Sequence, residues 1–130
     1  MLRKLSMLLG LLLILVLSAC GYNIHTFTFT GETDNWSASL KVIQHSNDYE
    51  QQDFELHYTG NDVNSVGNIT FGIETNAGGF GGSGYTLAES GVLRSSSEAN
   101  PTNAKIIENS EVEVTVEWND NIETILLSNN

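Results

Sequence analysis

An antiparallel β-sandwich of immunoglobulin-like size, with about seven or eight short strands behind a helical signal peptide, is the fold that the sequence predicts. Three observations predict it. Apolar and polar residues alternate in run after run. Clusters of Gly, Asn and Asp separate those runs. No stretch beyond Cys20 keeps a sustained helical period. Alternation with a period of two marks strands with one face buried and one face wet.

The elements follow in order. Ile24 to Thr30 alternates, with Phe27 and Phe29 on one face. Trp36, Ala38, Leu40 and Val42 share the inward phase of the next run. Phe54, Leu56 and Tyr58 do so in the third, and Ile69, Phe71 and Ile73 in the fourth. Val112, Val114, Val116 and Trp118 give the clearest case, with Glu111, Glu113 and Glu117 pointing outward. Asn119-Asp120-Asn121 then predicts a closing hairpin into Ile122–Leu127. Weaker strands are expected at Tyr85–Ala88, Gly91–Arg94 and Ala104–Ile107. A small closed barrel is the alternative architecture. Trp36 and Trp118 are both expected in one core.

The start of the chain is different in kind. Arg3-Lys4 precede an apolar run from Leu5 to Leu17, interrupted only by Ser6 and Gly10. A positive start, an apolar middle and small residues at a cut site make a secretory signal. The run is shorter than the roughly 20 apolar residues that a spanning helix needs. Polar Tyr22-Asn23 follow it with no basic stop-transfer cluster. The expected organisation is a signal over 1–19, a tether over 20–23 and a β domain over 24–130. The signal is expected to stay detached from the domain, because it has no polar face to turn to water.

Leu17-Ser18-Ala19-Cys20 resembles the lipobox of bacterial lipoproteins, and Cys20 is the single cysteine of the chain. The resemblance implies diacylglycerol on the Cys20 thiol, with cleavage just before it. Two acyl chains on one cysteine make a durable anchor without a spanning helix. One cysteine leaves no intrachain disulfide, so the exported domain must stand on its core alone.

Removing 19 of 130 residues leaves 111, enough for one domain. Arg3 and Lys4 leave with the signal, so three basic residues (Lys41, Arg94 and Lys105) face sixteen acidic ones, a formal charge of −13. That balance opposes nucleic acid, which needs a positive footprint, and opposes lying flat on anionic lipid. Contact with the membrane is expected through the lipid on Cys20.

Motifs for chemistry are sparse. Gly79-Phe80-Gly81-Gly82-Ser83-Gly84 fits the letters of a dinucleotide fingerprint, but no helix follows to hold a pyrophosphate. The segment Asn76 to Tyr85 is expected to be a bent or mobile loop, with Phe80 and Tyr85 as candidate contact residues. Ser95 to Pro101 is read as a second atypical connection. His25, His45 and His57 lack the close spacing of zinc ligands. Glu32–Asn35, Asn47-Asp48 and Asn119–Asn121 offer oxygen ligands, but none matches a known calcium loop. No cofactor and no catalytic residue is expected.

The whole chain is similar to small uncharacterised lipoproteins of Bacillus-like Gram-positive bacteria. The residues that carry the resemblance are the lipobox, Thr26–Val42 with Gly31-Glu32-Thr33-Asp34-Asn35-Trp36, Asn76–Gly81, Ser97–Lys105 and Glu113–Asn119. It implies an extracytoplasmic, lipid-anchored address and attaches no activity. Two readings of function stay open: a non-catalytic module that binds a protein or cell-wall partner, and a lipoprotein that binds a small ligand or divalent cation.

Overall fold

The computed structural model describes residues 23–99 and 105–130. The signal and Cys20, on which the expectations of a detached helix and of lipidation rest, lie outside the described residues. Eight strands follow in order: β1 (Ile24–Glu32), β2 (Trp36–His45), β3 (Glu50–Tyr58), β4 (Ile69–Thr75), β5 (Gly78–Tyr85), β6 (Val92–Ala99), β7 (Val112–Trp118) and β8 (Asn121–Leu127). Among the described residues the one helical element is a short 3-10 turn at Val63–Ser65, and no helix is long and apolar enough to cross a membrane.

The strands form two antiparallel sheets. Sheet I has the order β1-β2-β3-β6, and sheet II the order β5-β4-β7-β8. From β2 onward this is the immunoglobulin-like connectivity: β2-β3-β6 stand as A-B-E, and β5-β4-β7-β8 as C′-C-F-G. β1 is an added strand outside A. On one flank β1 and β8 approach each other and share a bridge between Thr30 and Ser128. The other flank, between β5 and β6, has no such pairing among the described residues. The architecture is therefore a sandwich and not a closed barrel.

The core is the set of positions that alternation placed inward. Phe27, Phe29, Trp36, Leu40, Val42, Phe54 and Leu56 of sheet I are buried against Ile69, Phe71, Ile73, Val112, Val114, Val116 and Trp118 of sheet II. Trp36 meets Trp118 edge-on across the sheets at 5.2 Å between ring centroids. Phe54 stacks on Phe71 at 5.3 Å. Both tryptophans lie in one core, as expected. Two buried residues come from connections: Val66, after the 3-10 turn, and Ile106, before β7. They plug opposite ends of the sandwich.

Four expectations need correction. Of the strand expected at Tyr85–Ala88 only Tyr85 lies in a strand, and residues 86–88 form none. Gly78–Tyr85 is a strand, not a loop. It pairs with β4 from Thr75–Gly78 to Phe71–Gly82, and a bulge then brings Ile69 opposite Tyr85. Gly81 suits this pairing, because a Cβ there would run into the Phe71 carbonyl oxygen. Ser95 to Ala99 likewise belongs to a strand, β6, laid along β3. Residues 105–107, by contrast, form no strand. Their backbone is satisfied by side chains: the Ile106 N–H donates to Glu50, the Ile106 carbonyl accepts from Gln44, and the Ile107 N–H donates to Asn76.

The closing hairpin has a two-residue turn in which Asn119 (φ 45°) and Asp120 (φ 62°) are both left-handed. This turn type suits the right-handed twist of the strands and favours glycine at its second position. Asp120→Gly is therefore expected to raise stability by about 0.5–1 kcal/mol. Thermal unfolding checks this, and an unchanged or lowered midpoint contradicts the turn geometry.

Candidate interaction surfaces

Alternation that buries one phase of each strand pushes the other phase to the surface, and the two outer faces differ in charge. All three histidines and two of the three basic residues downstream of Cys20, Lys41 and Arg94, lie on sheet I. The strands of sheet II contain no Lys, Arg or His, and carry Glu74, Glu113, Glu117 and Glu123.

The outer face of sheet I holds the densest polar cluster. Glu55 of β3 accepts from the Arg94 Nε at 3.2 Å and bonds His57 Nε2. The hydrogen bond from His57, then that from Arg94, hold the Glu55 carboxyl below its usual range against partial desolvation. Asp53 accepts from the Ser96 hydroxyl at 3.0 Å and from Gln51 at 3.1 Å. A depression of about 480 Å³ lies over this cluster, lined in part by Thr28, Ser39 and Lys41. Ser37 stands opposite His57 in the ladder. Among the described residues, however, no hydroxyl is hydrogen-bonded to His57. The cluster is a carboxylate held between an imidazole and a guanidinium, a polar patch made by side chains of two neighbouring strands.

The other candidates are dispersed. His25 pairs with Glu108 at 2.8 Å, and His45 packs on the Tyr49 ring, so the three histidines serve separate contacts. The oxygen-bearing turns divide between the two ends of the sandwich. Asp48 pairs with Lys105 at 2.7 Å at the end where β1 begins. Asn35 donates to Glu123, and Asn119 to the Ser65 carbonyl, at the other. No group of three or more His, Cys, Asp or Glu among the described residues converges as a metal site.

Phe80 and Tyr85, the candidate contact residues, lie on β5 at the open flank. Phe80 packs against the core from the inner side of the strand. Tyr85 is 38 % exposed and rests edge-on against Phe71 at 5.2 Å. Both close the side of the core and are not displayed on a flexible loop. Sequence reasoning missed Glu55, Arg94 and Glu74 as surface features. Their partners come from other strands, and only the register reveals them.

The chain matches no family model, no curated protein and no solved structure in the comparisons made.

Proposed function

We propose that the protein is a lipid-anchored, non-catalytic binding module on the outer face of a bacterial membrane. The observation that carries this reading is the short spacing between address and domain. Cys20 closes the lipobox pattern, and β1 begins at Ile24. On this reading, the end of the sandwich that bears Ile24, the β2–β3 turn and the end of β6 faces the bilayer. The opposite end and both flanks then face outward, where a protein or cell-wall component is within reach. The formal charge of −13 keeps the domain body off anionic lipid and leaves the lipid as the only membrane contact.

Cys20→Ala is expected to block lipid attachment and signal removal together. Mass spectrometry of the membrane fraction checks this. A variant that is cleaved and membrane-bound like the parent overturns the anchoring. A hydrolytic activity of the purified protein that vanishes in His57→Ala would overturn the non-catalytic part.

A further inference from the structure

The sandwich has four edge strands, and three of them are guarded. Natural sheets protect free edges with charges, prolines or a covering segment, because an unpaired ladder of N–H and C=O groups recruits further strands. β1 and β8 lie against each other on the closed flank. β6 carries Arg94 and Glu98. β5 has no charge and no proline, and five of its eight residues are glycine. Its register with β4 is regular from Gly78 to Gly82, and no strand among the described residues pairs with its other side, which is an ordered ladder edge.

The chemistry around this edge is of one sign. Glu74 of β4 stands directly opposite Glu113 of β7, a like-charge cross-strand pair. Such pairs destabilise a sheet, and no cation among the described residues is paired with either carboxylate. Gly79 is the register partner of Glu74 on the other side. A Cβ on Gly79 would lie 3.0 Å from Glu74 Oε1, so the carboxylate leans over the bare glycine towards the free edge. Phe80 points inward, which puts Gly79 and Gly81 on the outer face with no side chain between Glu74 and a newly added strand.

We propose that β5 is a docking edge for an extended basic peptide segment, which adds to sheet II as a further strand and sets Lys or Arg side chains over Gly79 against Glu74 and Glu113. Backbone hydrogen bonds supply the attachment, and the carboxylate pair selects the charge. A second copy of the chain is the poorer occupant, since β5-to-β5 pairing would join two sheets whose strands carry carboxylates and no cation, on bodies that already repel. The inference names a partner class for the binding module proposed above and rests on that reading. Failure at β5 leaves anchoring and binding by another face intact.

The test uses the full-length lipoprotein in neutral detergent and a fluorescent octapeptide of alternating lysine and threonine. Anisotropy is expected to report binding. Binding should weaken at least about tenfold when alternate peptide amides are N-methylated, which removes ladder hydrogen bonds, or when lysine is replaced by glutamate. Glu74→Gln with Glu113→Gln should weaken it about fivefold or more while circular dichroism stays unchanged, since the double variant relieves a repulsion. Hydrogen exchange should slow within Gly78–Ser83. No binding, equal binding of the methylated or glutamate peptide, or protection confined to another strand overturns the proposal. So does peptide-free dimerisation with protection of β5, which assigns the edge to a second copy.

Discussion

Truncating Trp36 to alanine is expected to lower the unfolding free energy by about 3–5 kcal/mol. Trp36 begins β2, is fully buried and holds the two sheets together where they meet Trp118. It also packs on Tyr58 at 5.3 Å. The cavity left by alanine would open between strands of both sheets, so neither sheet can collapse alone to fill it. Trp118→Ala is expected to cost less, because Trp118 keeps 9 % exposure and some of its surface is already wet. A finer contrast comes from the indole itself. The Trp36 Nε1 is buried with no hydrogen-bond acceptor among the described residues, and an unpaired buried donor costs roughly 1–3 kcal/mol in the folded state. Trp36→Phe removes that donor while keeping one ring, so its loss should fall well below that of alanine. Urea unfolding at constant m-value measures all three. An alanine variant within about 1 kcal/mol of the parent contradicts the placement of Trp36 in the centre of the core.

The residues that were legible from sequence are those whose neighbours along the chain carry the signal. Val112 to Trp118 alternates without a break, so its strand, its buried phase and its outward glutamates could all be read from one run. The same holds for Trp36 to Val42. β5 was not legible, because glycine has low strand propensity and no side chain with which to show a phase. Its conformation is imposed by β4, whose Phe71 carbonyl comes too close for any other residue at position 81. β6 was legible only in its first half: Val92 and Leu93 are buried, and the serines after them have no hydropathy contrast to display. Ala104–Ile107 misled in the opposite direction. Two isoleucines suggest a strand, but Ile106 is a lone plug and Ile107 is exposed. The surface features fared worst. Glu55 with Arg94, and Glu74 with Glu113, are pairs made by register, which depends on how distant strands align. The lipidation proposed at Cys20 is the reverse case, read wholly from local sequence.

The second large effect is expected at Glu50. Its carboxylate is 2 % exposed at the start of β3, and the other buried side chains among the described residues are apolar. It accepts from Gln44 Nε2 at 2.8 Å, from Gln52 Nε2 at 2.9 Å and from the Ile106 backbone N–H at 3.2 Å. Gln44 also donates to the Ile106 carbonyl at 2.8 Å. Glu50 and Gln44 together thus do for Ile106 what a neighbouring strand would otherwise do. Glu50 accepts the Ile106 N–H and helps seat its side chain in the end of the core, where the chain crosses from sheet I to sheet II. Glu50→Ala removes the acceptor and leaves buried donors unpaired, each at about 1–3 kcal/mol. Since Gln52 can turn to water, the expected total is about 2–4 kcal/mol. Glu50→Gln keeps the size and one acceptor oxygen, but it presents an amide N–H₂ to groups that already donate, so an intermediate loss is expected. The local signature separates this latch from a general core defect. Exchange of the Ile106 amide should quicken in Glu50→Ala more than exchange in β7, whereas Trp36→Ala should quicken both. If Glu50→Ala unfolds at the parent's urea midpoint and the Ile106 amide stays protected, the segment is held by Ile106 packing alone and the carboxylate is a bystander.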